Sequence, residues 1–279
     1  MKVLYIAELV GKSGVYVLKK ALNELKKRYP WDFLIVCADG ATGGNGLGRS
    51  HAAYIHKMGA NAITLGECCF YKKDLTENLD KMPYILRPEN LNIEAPGIGA
   101  RIFRIGSDLK AETKIALAVF IGQNGFTRTY ANSPFALLPS VLEKLRRQTQ
   151  YIIIDFHAQA SAEKKTFFYA AAGKCSAVIG SHTRVPTSDE GIMPGGTAVI
   201  SDAGRTGSQM SVGGCEINSR VKEYLTGIPD WTKDAWDSLE LQGVYIDIGK
   251  DGKALSIERV RIPVERAGNE EEQEPVILN

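Results

Sequence analysis

Four short runs, KVLYIA (residues 2–7), FLIVC (33–37), AITLG (62–66) and YIIIDFH (151–157), are apolar almost throughout instead of at every second position. Runs of this length and kind read as strands buried on both faces. Helical patterns fall between them. VYVLKKALNELKKRY (15–29) sets Val15, Leu18, Leu22 and Leu25 on one face with lysines opposite, and Pro30 stops it. SHAAYIHKMG (50–59) suits a helix with a Ser cap and a Gly stop. PFALLPSVLEKLRR (134–147), with Pro139 early or kinking, and AEKKTFFYAAAG (162–173) are helical as well. ARIFRI (100–105), 114–122, 176–182 and 195–204 read as further strands, and 243–262 as a hairpin turning at KDGK. Such alternation demands stacked sheets or a central sheet covered by helices.

The chain has 279 residues, 44% hydrophobic and 24% charged, with a net charge of +2, so no basic surface points to nucleic acid or an anionic membrane. No apolar run reaches the roughly 18 residues a membrane helix needs, and the N-terminus reads as a strand and not as a signal peptide. A cytoplasmic location is therefore expected. The five cysteines, 37, 68, 69, 175 and 215, follow no disulfide framework and are expected as free thiols. The run GNEEEQEP opens an acidic tail, expected to be disordered over 268–279 beyond a single folded unit of 1–267.

The strands end in side chains able to bind something. Glu8, Asp39 and the pair Glu67-Cys68 follow the first three strands; Asp155, His157, His182 and Asp202 follow later ones. Ligands in α/β folds gather beyond the carboxyl ends of strands. Two of only four histidines stand at such ends, which favours a metal site over core imidazoles; carboxylate and imidazole ligands suit Mn, Fe or Zn. His51 and His56, in the 50–59 helix, read as surface or packing residues. The glycine-rich GATGGNGLG lacks a usable GxGxxG register and the Gly-Lys-Ser/Thr of a P-loop, so it reads as a flexible loop beside the site. Arg49 and Arg205 lie in loops that could meet phosphate, although a solvated role is commoner.

The blocks VLYIAELVGKSG, FLIVCADGATGGNGL, GANAITLGE, ILRPEN, IIIDFHAQASAEK, AVIGSHTRVPTSDEGIMPGGTAVISDAGRTG and SVGG occur in order along the chain. In these the chain resembles the YmdB-like phosphodiesterases of the calcineurin-like metallophosphoesterase superfamily. The resemblance implies an α/β fold, a four-layer αββα sandwich, and a two-metal site hydrolysing phosphodiesters such as 2′,3′-cyclic nucleotides. It also implies departures. The family carries Asp at position 8, Glu at 39 and Asn at 40, where this chain has Glu8, Asp39 and Gly40. It carries Asn-His where this chain has Glu67-Cys68, and His-Thr-His where it has His182-Thr183-Arg184. The family's first metal would use positions 8, 39 and 184, and its second 39, 67, 157 and 182; the histidine at 68 acts as general acid.

Arg184 cannot ligate a cation. Three carboxylates, Glu8, Asp39 and Glu67, would be neutralised by one divalent cation (Fe, Mn or Zn) plus Arg184. A single-metal site is therefore expected, with Glu8, Asp39, Glu67, His157 and His182 as candidate ligands and Cys68 and Arg184 in the catalytic positions. Relaxed drift in a dead site, and a metal-free salt-bridge cluster of Arg184 with Glu8 and Asp39, remain open readings. Cys68 reads as an inert small residue, a soft ligand or a thiolate nucleophile; Cys69 reads as structural. The expected partner is a small phosphodiester or nucleotide, with no stable nucleic-acid complex and a homo-oligomer conceivable. The alternative is a catalytically impaired relative, a pseudoenzyme, that binds a nucleotide or protein without turnover.

Overall fold

The computed structural model describes residues 1–106, 113–126, 129–230 and 233–266. In chain order the strands are β1 (Lys2–Ile6), β2 (Glu8–Leu9), β3 (Phe33–Cys37), β4 (Ala62–Thr64), β5 (Ile85–Leu86), β6 (Ala100–Ile105) and β7 (Thr113–Ile121). They continue with β8 (Ile152–His157), β9 (Ala177–Ser181), β10 (Gly191–Met193), β11 (Thr197–Ile200), β12 (Arg205–Ser208), β13 (Leu239–Ile248) and β14 (Ala254–Pro263). The helices are α1 (Gly11–Arg28), α2 (Arg49–Lys57), α3 (Lys73–Thr76), α4 (Pro134–Arg146), α5 (Ser161–Ala171) and α6 (Ile217–Thr226).

Two sheets form. One runs β2-β12-β13-β1-β3-β4-β5, with β14 on β13; the other runs β10-β11-β9-β8-β7-β6. Alternate residues of β1 and β3 explain their unbroken apolar runs. Val3, Tyr5, Phe33 and Ile35 enter the core between the sheets, where they meet Leu117, Val119 and Ile153 of the second sheet. Leu4, Ile6, Leu34 and Val36 face the other way, where Leu18 and Leu25 of α1 and Ile55 of α2 cover them. On the far side Ile152, Ile154 and Phe156 of β8 pack under Leu142 of α4 and Phe167 of α5. The result is the four-layer αββα sandwich.

β1, β3 and β4 are mutually parallel, as are β7, β8, β9 and β11, so each sheet carries a set of carboxyl ends to one edge. Several boundaries differ from the sequence reading. α2 is preceded by Gly48 without a side-chain cap, so Ser50 lies inside the helix and caps nothing. Pro139 sits inside α4 at an exposed position, and Ser133 supplies the cap. The strand expected over 195–204 stops at Ile200, where the chain turns and buries Asp202. No helix among the described residues is long and apolar enough to cross a membrane. The acidic tail over 268–279 lies outside the described residues.

Candidate metal centre

The ends of β4, β8 and β9 bring Glu67, His157 and His182 together. His157 Nε2 meets a Glu67 carboxylate oxygen in a very short contact, His182 Nδ1 lies 3.1 Å from His157 Nε2, and His182 Nδ1 lies 3.2 Å from Glu67 Oε1. Asp39, just past β3, stands behind them with Oδ2 3.9 Å from His157 Nε2. Two overlapping groups of potential ligand atoms result: Glu67, His157 and His182, and Asp39, Glu67 and Cys68, each within 4.8 Å.

The backbone makes this convergence possible at Gly66. A Cβ there would sit 2.3 Å from the His157 ring, so only glycine lets Glu67 approach that imidazole. Asp39 then fixes the turn: Oδ1 accepts from Gly66 N at 2.7 Å and Oδ2 from Cys68 N at 3.1 Å.

His157 is oriented from behind. Tyr5 and Ser181 donate to the two Asp155 oxygens, each at 2.7 Å, and Ser181 Oγ lies 3.0 Å from His157 Nδ1. The single Ser181 hydrogen goes to the carboxylate, so its oxygen accepts from Nδ1–H. Once it loses its extra proton, the imidazole therefore keeps Nε2 as its lone-pair nitrogen, aimed at the cluster, the usual support for a metal-ligating histidine. Asp155 and Asp202, read from sequence among strand-end candidates, are thus supports with no place among the grouped ligand atoms.

The adjoining wall is already occupied by charge. Arg184 donates to Glu8 Oε1 from Nε at 3.0 Å and Nη2 at 2.7 Å, to Gly44 O at 2.9 Å and to Gly213 O at 3.1 Å. Glu8 is buried, and its Oε2 finds no hydrogen-bond partner among the described residues. Glu8 joins neither ligand group. Gly40 is the second glycine whose smallness matters: a Cβ there would lie 2.8 Å from both Arg184 Nη2 and Glu8 Oε1.

Burial, and next the Glu67 charge, push Asp39 up to about 8. Burial opposes protonation of His157, yet Glu67, then Asp39 and Glu8, outweigh it and raise the imidazole to about 9. Glu67 goes the other way: burial works against its charge, but His157 and His182 hold it well below the ordinary carboxylate range. Cys68 is pushed far up by burial and then by Asp39, Glu67 and Glu8, which disfavours the thiolate-nucleophile reading. Cys69 is buried and raised likewise.

Other candidates lie elsewhere. Arg205 is buried and its guanidinium donates to the carbonyls of Ser208, Arg184 and Gln209, so it braces the loop with no surface role. Arg49 is exposed at the start of α2. His51 pairs with Thr42 Oγ1, and His56 stacks on Tyr84. Sequence reasoning missed Phe126, whose ring lies over His157 and edge-on to His182. Its loop is held by the buried Glu163, which accepts from Gln123 N and Asn124 N. It also missed Ser181, although the GSH triplet places that serine beside His182.

The family model described as "YmdB-like protein" matches residues 4–260. A 2′,3′-cyclic-nucleotide 2′-phosphodiesterase of Bacillus subtilis is 34% identical over 263 residues, covering 94% of this chain and 97% of the relative. The crystal structure of a phosphatase from Mycoplasma pneumoniae superposes with a TM-score of 0.85 at 28% identity, covering 94% of this chain and 93% of that one. A 5′-nucleotidase structure from Staphylococcus aureus shares the fold at a TM-score of 0.60 and 13% identity, covering 98% of this chain and 56% of that one. With strand-end carboxylates and histidines converging on one edge of an αββα sandwich, and with the match running nearly end to end, the chain belongs to the YmdB-like family of metallophosphoesterases.

Proposed function

We propose that the chain is a phosphodiesterase for small phosphodiesters, 2′,3′-cyclic nucleotides foremost, working with one divalent cation beside a built-in guanidinium. The observation that carries this reading is the seat of Arg184. Glu8 takes two of its donors, and Gly40 leaves the space the fork occupies. Random decay of a dead site has no reason to combine a longer carboxylate, an arginine and a missing side chain at three positions far apart in sequence.

The residues present fit a cation on the other wall. Glu67, His157, His182 and Asp39 would hold it, an oxygen and nitrogen donor set suited to Mn, Fe or Zn. Among the described residues, Glu67, His157 and His182 bring carboxylate and imidazole atoms within 4.8 Å of one another, a crowding that a cation would relieve. A bound divalent cation supplies Lewis-acid polarisation of a phosphoryl oxygen and an acidified water. Ser181 and Asp155 keep the Nδ1 proton on His157. Arg184 neutralises Glu8, which lowers the repulsion an anionic phosphodiester meets there. Cys68 replaces the family's acid with a poor proton donor, so esters with leaving groups of low pKa are favoured.

That same substitution supports a second reading, nucleotide binding without turnover. Elemental analysis of Mn²⁺-loaded protein, alongside hydrolysis of bis-p-nitrophenyl phosphate and 2′,3′-cyclic AMP, decides between them. One metal per chain and faster hydrolysis of the nitrophenyl ester are expected. Two tightly held metals overturn the single-metal site. Calorimetric nucleotide binding with no metal-dependent hydrolysis establishes the second reading.

A further inference from the structure

We infer that Asp202 and Lys164 are positioning residues that hold the His182–Arg184 loop in its cation-receiving shape. This rests on the proposed metal site. Asp202 is fully buried and Lys164 is 2% exposed. Asp202 Oδ2 accepts from Lys164 Nζ at 2.9 Å, Thr183 N at 2.9 Å and Thr183 Oγ1 at 2.7 Å, and Oδ1 accepts from Gly204 N at 2.9 Å. Thr183 is the hinge pin of the site. The residues on either side, His182 (φ 98°) and Arg184 (φ 58°), both adopt the left-handed backbone that side chains resist. One contributes an imidazole to the cluster and the other contributes the guanidinium on Glu8.

Strained backbone persists only where its surroundings over-determine it. Here a carboxylate grips the residue between the two strained positions, and a lysine from α5 pairs with that carboxylate and fixes it in place. A buried ion pair is a poor device for stability alone, since apolar side chains fill such space as well. Its geometry explains its presence: three of its four bonds converge on one oxygen, and two of those come from Thr183. Arg205 adds a brace from below through Arg184 O at 3.0 Å.

The test is the Mn²⁺ dissociation constant measured by calorimetry, with thermal melts of the metal-free protein beside it. Thr183→Val is isosteric and deletes only the hydroxyl bond to Asp202; Thr183→Ser keeps the hydroxyl; Lys164→Met removes the counter-charge. Thr183→Val and Lys164→Met are expected to weaken Mn²⁺ binding about tenfold, the usual scale for a residue supporting a ligand, and Thr183→Ser to restore it to within about twofold. A merely structural role lowers the melting temperature and leaves the dissociation constant unmoved; Thr183→Val at parental affinity therefore overturns the inference. Should Lys164→Met fail to fold, the two threonine variants decide. A parent that takes up no Mn²⁺ overturns both the inference and the proposed function; a parent that binds while Thr183→Val binds equally overturns the inference alone.

Discussion

The two walls of the site solve the same problem in opposite ways. On the wall of Glu67, His157 and His182, carboxylate oxygens and ring nitrogens crowd one another, and no arginine or lysine among the described residues pairs with them. On the wall of Glu8 and Arg184, the positive charge is part of the chain and is tied to a carboxylate and two carbonyls. The first wall is receptive and its charge balance depends on what enters. The second is closed and its balance is internal. On the proposed reading, the ligand positions that the resemblance implies on one wall are kept and those on the other have become a salt bridge, with Gly40 leaving the space the guanidinium occupies.

Substitutions should therefore separate into two classes. His157→Ala deletes a proposed ligand on the receptive wall and is expected to weaken Mn²⁺ binding more than about 100-fold, beyond the scale of supporting residues. Arg184→Met on the closed wall is expected to leave that affinity within about tenfold but to destabilise the fold by about 3 kcal/mol, because Glu8 then stays buried and unpaired. Adding Glu8→Gln to Arg184→Met should return most of that loss in urea melts. The contrast between the walls breaks if His157→Ala keeps its metal, or if Arg184→Met melts like the parent.

Gly40→Ala sharpens the same contrast on a smaller scale. Its methyl would press on both Arg184 Nη2 and Glu8 Oε1 at 2.8 Å, and on Leu9 O at 3.1 Å. A loss of about 1–3 kcal/mol is expected, the range for overpacking, and it should shrink in the Arg184→Met background, where the guanidinium is gone. Equal losses in both backgrounds would mean that Gly40 serves the backbone rather than the arginine.

Much of the fold was legible because burial on both faces leaves a simple trace. β1, β3 and β8 read as runs apolar almost throughout, and α1 showed its core stripe at Val15, Leu18 and Leu25. What escaped were elements whose residues carry no such trace. β2 is two residues long, β12 is the polar RTGS although fully buried, and α6 buries no residue at all. Around the site, carboxylates and histidines were visible because they stand at strand ends. Their division of labour was not. Asp155 and Asp202 look like Asp39 in sequence, yet one steadies His157 through Ser181 and the other grips Thr183. Lys164 lies inside the helical run AEKKTFFYAAAG with nothing in the sequence to single it out; only the folded chain shows it buried on Asp202.

The receptive wall also makes a prediction about protons. Without a cation, burial and the neighbouring Glu67 push Asp39 up to about 8, and the carboxylates hold His157 up to about 9 against the opposing effect of burial. Both groups therefore carry protons at neutral pH, and both must surrender them to ligate, Asp39 as carboxylate and His157 through Nε2. The sign follows: raising the pH towards 9 removes the competing protons, so Mn²⁺ affinity climbs, by about tenfold per pH unit for each proton released, and levels off once both groups are deprotonated without help. Calorimetry at pH 7 in buffers of different ionisation enthalpy should detect at least about one proton expelled per cation bound. Arg184→Met, on the closed wall, should leave that release in place, while His157→Ala should reduce it. An affinity that stays flat between pH 6 and 8 would mean that the ligands are already deprotonated, and that the two walls do not differ in the way their geometry indicates.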